Sequence, residues 1–167
     1  WCLDQHEEWQ AIAPSVGFPE SHDTPRLAAE TNGLEQVQKQ RFLFATAFSR
    51  GILVPVGFEF GFRKKIDVCH TRSSDWEEPS FDMRQFITQS LALKKSSEVL
   101  SVEGHLRLLS GLDQPTLVLE KVSDNDRCLI LINKDWHNDQ QLRLDWIHHA
   151  WQANDGTTIV RPFHGQF

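Results

Sequence analysis

Residues 20–26, Glu20-Ser21-His22-Asp23-Thr24-Pro25-Arg26, concentrate two carboxylates, an imidazole and a guanidinium. Such groups can fix sugar hydroxyls by charge-assisted hydrogen bonds. The segment follows Ser15-Val16-Gly17-Phe18, which reads as a short buried strand. Loops just past the C-terminal end of a buried strand are where α/β proteins gather catalytic groups. The competing reading is a solvated loop with an Asp-Thr-Pro turn, and from side-chain chemistry alone that reading is the better one.

Other polar groups are less pointed. Asp4, Glu7 and Glu8 precede the strand and read as a solvated helix face, whereas Glu59, Asp67, Asp75, Glu77 and Glu78 surround a second loop and could border the same mouth. Six tryptophans stand at positions 1, 9, 76, 136, 146 and 151. Flat aromatic faces suit the apolar faces of sugar rings, and core filling is the alternative. Trp76 in the second loop is a candidate platform. Trp136, in a turn, reads as a sugar-stacking residue or a domain contact, and Trp146 and Trp151 read as core. Cys69-His70 and His148-His149 are adjacent pairs, but no spacing points to one metal site, so no metal is expected. Arg63-Lys64-Lys65 is followed by Asp67 and reads as a solvated loop.

The elements that must position these groups follow from periodicity. Residues 1–13 could end a helix, broken at Pro14. Leu34, Val37, Arg41, Phe44, Ala45 and Phe48 follow helical spacing after Asn32-Gly33, and Gly51 reads as a left-handed stop. Ile52-Leu53-Val54-Pro55-Val56 is a continuous apolar run, which suits a strand buried on both faces of a parallel sheet. Residues 57–78 form a long irregular segment, of the kind that is usually functional or disordered. Ser80 and Asp82 can cap a second helix with Met83, Phe86, Ile87 and Leu91 as its stripe, and Lys94 and Lys95 lie near its C-terminus.

Beyond Ser101 the pattern changes. Leu106–Leu109, Thr116–Leu119, Cys128–Ile132 and Leu142–Leu144 are short apolar or alternating runs separated by turn residues, and Asp155-Gly156 reads as a hairpin turn into Thr157–Val160. The first part thus reads strand, helix, strand, helix, and the second part reads all strand.

Composition bounds the rest. The 167 residues are 40% hydrophobic and carry 17 basic and 23 acidic side chains, a net charge of −6. That is ordinary globular composition for one domain or two small ones. It is too short for a complete (β/α)₈ barrel of about 250 residues. The acidic balance excludes nucleic acid as an expected partner, and no run of about 20 apolar residues suits a membrane span. Three cysteines, with no CxxC, make no disulfide framework and fit a reducing, cytoplasmic compartment. The chain begins with Trp1 rather than Met, so it is expected to be a processed product or a piece of something longer.

Residues Val16 to Leu27 resemble the seventh-strand signature of the α-amylase family (glycoside hydrolase family 13). That signature is a hydrophobic strand followed by Asn-His-Asp, often with Thr and Arg next. His22 and Asp23 match it, and Ser21 stands where Asn is usual. Gly57-Phe58-Glu59-Phe60-Gly61 is similar to the Gly-x-Glu-x-Gly that ends the family's eighth strand, and Asp75-Trp76 before the second helix fits as well. In correct order, the resemblance covers nearly the whole chain.

The resemblance implies an α/β plus all-β protein. Residues 1–100 would be the end of a (β/α)₈ catalytic barrel, strands seven and eight with their helices. Residues 101–167 would be a small antiparallel β-sandwich domain. It implies a retaining glycosidase or glucanosyl- or maltosyl-transferase acting on α-glucan or maltooligosaccharide. Asp23 would be the carboxylate that stabilises the transition state, and His22 would bind a hydroxyl of the same sugar. Arg26, Glu59 and Trp76 are carried as substrate-binding candidates, with Arg26 paired to Asp23 or Glu20. The nucleophile and general acid, about 5–5.5 Å apart in a retaining enzyme, follow the family's fourth and fifth strands and are expected to be absent here. The family's common calcium site is also built mostly upstream, and no cofactor is implied. The open barrel edge implies a homo-oligomer. The alternative is a stand-alone carbohydrate-binding or interaction module, and a weaker one is a degenerate amylase-like protein with a structural role.

Overall fold

The computed structural model describes residues 2–142. The expected hairpin at 155–160, Trp146, Trp151 and the His148-His149 pair lie outside them. The elements run α1 (Cys2–Trp9), β1 (Val16–Gly17), α2 (Leu27–Glu30), α3 (Glu35–Phe48), β2 (Gly51–Ile52), α4 (Arg84–Ser96), α5 (Glu98–Ser101), β3 (His105–Leu108), β4 (Thr116–Val122) and β5 (Arg127–Asn133). Two single-turn 3₁₀ segments, Phe58–Phe60 and Ser73–Asp75, punctuate the long segment after β2.

β1 and β2 pair in parallel, Val16 opposite Gly51 and Gly17 opposite Ile52, with α2 and α3 as the crossover. A parallel pair requires such a crossover. Small residues let α3 close on this pair. A Cβ at Gly17 would sit 2.4 Å from Ser49 Oγ and 2.8 Å from the Ala45 carbonyl. Gly51 is not the left-handed helix stop that the sequence suggests. α3 ends at Phe48 with Ser49 as its cap, and Gly51 opens β2. There a side chain would crowd the Ser15 carbonyl at 3.3 Å.

The apolar core comprises Leu27, Val37, Phe42, Phe58 and Met83, with Ile52, Val54, Phe86, Ile87 and Leu91 packed against it. It therefore sits between α3, α4 and the turn after β2. The buried stripe of α3 is Val37, Gln38, Phe42, Ala45 and Thr46, so Arg41 faces solvent and Phe42 takes the central place. Helical spacing places residues on a face but does not say which neighbouring face is covered.

The two strands are shorter and more open than expected. Val16, Phe18, Leu53 and Val56 are exposed. A parallel strand is buried on both faces only when helices and neighbouring strands cover it, and among the described residues β1 and β2 have only each other as strand partners.

β3, β4 and β5 form an antiparallel meander with β4 central. Two of its residues anchor it on the helical part. Lys121 Nζ donates to the carbonyls of Ala47 and Phe48, both at 3.1 Å, and Gln40 Nε2 donates to the Asn133 carbonyl at 2.5 Å. Glu7 of α1 bonds His105 Nδ1 at 2.9 Å and the Leu106 amide at 3.1 Å. The antiparallel sheet is as expected for 105–133. A second sheet, which a sandwich needs, is not among the described residues.

Candidate functional site

Beyond β1 the chain turns sharply, and both ends of the turn are fixed by buried charge. Glu20 Oε2 accepts the Leu27 amide at 2.7 Å, and Glu20 Oε1 lies 3.1 Å from Arg26 Nη1. The Arg26 guanidinium also donates to the carbonyls of Val56 (3.1 Å) and Phe62 (3.2 Å). One cation thus ties the turn after β1 to the segment after β2. Burial pushes the Glu20 carboxyl above its ordinary range, although the Leu27 amide and Arg26 pull the other way. Both partners are out of water, so the desolvation cost competes with their attraction.

The tip of the turn is local chemistry. Ser21 Oγ accepts the Asp23 amide at 3.2 Å, and Thr24 Oγ1 accepts the Ser21 amide at 3.0 Å. A serine hydroxyl can hold the amide two residues on as an asparagine side chain does, so Ser21 retains the turn-forming part of the residue it replaces. This turn presents His22 and Asp23 outward, with His22 Nε2 3.4 Å from Asp23 Oδ1 and the Asp23 side chain 82% exposed.

Arg26 is the correction among the expected contacts. The sequence leaves Asp23 and Glu20 open as its partner, and it pairs with Glu20. At 1% exposure its side chain is a buried strut beneath the turn that also borders the cleft lined by Trp76. Glu59 is half-buried. It accepts the Gly57 amide at 2.9 Å through Oε2, and its own carbonyl accepts the Met83 amide at 2.8 Å. A side chain at Gly57 (φ +87°) would meet Arg26 Nη2 at 2.9 Å, so Glu59 and Arg26 brace one turn from two sides.

Trp76 is exposed. With Arg26, Val56, Phe62, Lys65 and Ile66 it lines a shallow cleft between the two loops. Glu77 holds the loop by accepting the Arg63 amide at 2.9 Å and the Lys64 amide at 2.5 Å, and Lys64 pairs with Asp75. That ammonium and the Arg72 amide hold the Asp75 carboxyl below its ordinary range. The basic cluster is therefore partly tied down rather than wholly solvated. Lys65 Nζ reaches back to the Asp23 carbonyl at 3.3 Å. Its place at the turn carried no sequence signal, because the two residues are 42 apart.

The structure thus links the His22-Asp23 turn to Lys65, which lines a cleft with Trp76, and sets Arg26 and Glu59 as supports. An exposed carboxylate and imidazole on one turn, joined through Lys65 to a cleft that an exposed indole lines, suit a polyhydroxylated ligand. No group of three His, Cys, Asp or Glu side chains among the described residues could hold a metal ion. No described helix is long and apolar enough to cross a membrane.

No family model matches the chain. In sequence it is 27% identical, over 150 residues, to an α-1,4-glucan:maltose-1-phosphate maltosyltransferase of Burkholderia pseudomallei. It is 29% identical, over 117 residues, to a cyclomaltodextrinase of Geobacillus thermopakistaniensis. Those matches cover 81% and 68% of this chain but only 13% and 20% of the relatives. In structure it is similar to a debranching enzyme of Nostoc punctiforme soaked with acarbose, with a TM-score of 0.52 at 18% identity. That similarity covers 71% of this chain and 24% of the enzyme and bears on the fold alone.

Proposed function

We propose, for a chain that is a relative of the α-amylase family, that it supplies one wall of the active site of a retaining α-glucan hydrolase or glucanosyl- or maltosyl-transferase. The observation that carries this reading is the exposed His22-Asp23 pair at the C-terminal end of β1, in a parallel β1-α2-α3-β2 unit. The relatives' names concern maltose 1-phosphate, α-1,4-glucan and cyclomaltodextrin, which supports α-glucan or maltooligosaccharide as the ligand class.

In this reading Asp23 accepts hydrogen bonds from hydroxyls of the sugar whose glycosidic bond breaks. His22 binds a neighbouring hydroxyl. Contacts that tighten as the ring flattens toward the oxocarbenium ion lower the barrier without tightening ground-state binding. Trp76 stacks on a sugar ring at the rim of the cleft. Arg26 and Glu59 position the two loops. The nucleophile and the general acid come from elsewhere in a longer protein, and the chain alone is inactive. Residues 1–100 belong to the catalytic barrel and 101–167 to a separate β domain. The compartment in this reading is the reducing cytoplasm, from three sparse cysteines with no CxxC.

The test is to express the protein with all of its coding sequence and assay release or transfer of sugar from maltooligosaccharides. Asp23→Asn should lower kcat by about 10²–10³-fold or more, as for other groups that act in the transition state, with little change in KM. An Asp23→Asn enzyme with unaltered kcat would sink the assignment. So would sugar release by residues 1–167 alone.

A further inference from the structure

A tryptophan of the β sheet's far end is not absorbed by this reading. Trp136 stands 41% exposed in the turn after β5. That turn is knitted by its own polar groups. Asn133 Oδ1 accepts the Asp135 amide at 2.9 Å, Asp135 Oδ1 accepts the His137 amide at 3.0 Å, and Asp135 Oδ2 accepts Asn138 Nδ2 at 2.8 Å. Asn133 Nδ2 donates to the Asn138 carbonyl at 2.8 Å, and Lys134 crosses to the β3–β4 connection through Pro115 (2.8 Å) and Leu112 (2.7 Å).

The indole is fixed as well. Trp136 Nε1 donates to His137 Nε2 at 2.8 Å, with the two rings nearly perpendicular at 75°. The indole N–H can only donate, so His137 Nε2 accepts it and Nδ1 is left as that ring's donor at the edge of the indole. Asp135 is held as a carboxylate by the Asn138 amide and the His137 backbone. The turn therefore offers an apolar plate whose only polar atom is already bonded, rimmed by an imidazole donor and by amide and carboxylate groups.

We propose that the Trp136 turn is a second carbohydrate-binding site, in which a glucose ring of an α-glucan stacks on the indole while the His137 Nδ1–H and the Asp135–Asn138 edge take its hydroxyls. The choice of α-glucan over another saccharide rests on the function proposed above. The stacking chemistry does not. A preordered plate loses little freedom on binding, so one aromatic contact gives a useful weak affinity. Asp135 and Asp139 make the rim acidic and unsuited to phosphate-bearing ligands. Such a site would hold a long glucan near the protein, whatever happens at Asp23.

The experiment is affinity electrophoresis of the 167-residue chain through native gels containing glycogen, with glycogen-free gels as reference. The wild-type chain should be retarded. Trp136→Ala should weaken the apparent affinity about threefold to tenfold, the range of one aromatic contact. Trp136→Phe should fall between them, which separates a lost plate from a lost fold. Trp9→Ala, which removes an exposed indole outside both sites, should remain retarded. No retardation of the wild type, or full retardation of Trp136→Ala, overturns the proposal. Retardation lost in Trp9→Ala as well also overturns it. Asp23→Asn kinetics in the full protein, by contrast, decide the catalytic reading without touching this one.

Discussion

At the scale of single residues, the contrast between Asp23 and Arg26 is one of accessibility. Both are charged and three positions apart, yet one side chain is open to solvent and the other is sealed beneath it. An exposed carboxylate can meet a ligand, and a buried guanidinium can only hold what lies around it. Removing one member of a buried ion pair leaves the other uncompensated. Arg26→Met should therefore destabilise the fold by about 3–5 kcal/mol, read as a drop in urea midpoint. The loss should shrink in acid. Without Arg26, burial favours the protonated form of Glu20 more strongly still, so the penalty should fade as pH falls from the raised range toward the ordinary carboxylate value of about 4.3, and change no further below it. A penalty that stays constant from pH 7 to pH 4 would mean that Arg26 acts through its packing and its carbonyl bonds. The His22-Asp23 turn was legible in the sequence because its hydrogen bonds run between residues two and three apart. The partner of Arg26 was not, because distance from both carboxylates in the chain is small and only burial separates them.

At the scale of elements, the C-terminal end of α3 is the joint of the molecule. Lys94 of α4 donates to the carbonyls of Thr46 and Ser49 at 2.8 and 2.6 Å and also bonds the Leu100 carbonyl, while Lys121 of β4 takes Ala47 and Phe48. Two ammonium groups thus meet carbonyls that a helix end leaves unpaired, where the helix dipole favours positive charge. The sequence placed Lys94 against the dipole of its own helix, and the structure turns it onto the end of α3. Burial lowers the Lys121 ammonium to about 8, with Lys94 adding repulsion and Cys128 and Glu103 opposing it. The unfolded chain holds that proton up to about 10.4. Between these values the unfolded state binds more protons, so the Lys121 contribution to stability should rise with pH and be lost as pH falls through about 8. The stability of wild type relative to Lys121→Met, followed by denaturant unfolding from pH 7 to 10.5, should increase by about 1.4 kcal/mol for each pH step of one across that interval. A flat difference would show that Lys121 has its ordinary affinity for protons.

At the scale of the whole molecule, the open parallel pair decides behaviour. Exposed Val16, Phe18, Leu53 and Val56 lie in or just after two strands whose only described strand partners are each other. Unpaired strand edges beside apolar side chains recruit other chains. Residues 1–167 in isolation should therefore self-associate at micromolar concentration in sedimentation velocity, and Leu53→Asp should shift the distribution toward monomer. A clean monomer for the unaltered chain would argue that these strands need no further barrel. Expression with the full coding sequence should remove the association by covering the same side chains.

What the sequence by itself determined is what short-range chemistry encodes. It placed the α3 and α4 helices, the β3 to β5 runs and the His22-Asp23 turn in order, because periodicity and turn bonds act within a few residues, whereas the caps it proposed at Gly51 and at Ser80 or Asp82 are not the ones that form. The tertiary structure decided what depends on water being excluded between distant segments. It chose Glu20 for Arg26, brought Lys65 to Asp23 across 42 positions, and gathered Lys94 and Lys121 on one helix end. It also left Leu53 and Val56 of the apolar run after Gly51 exposed while Ile52 and Val54 pack on the core. Hydrophobicity states a preference for burial, but only neighbouring strands and helices can satisfy it.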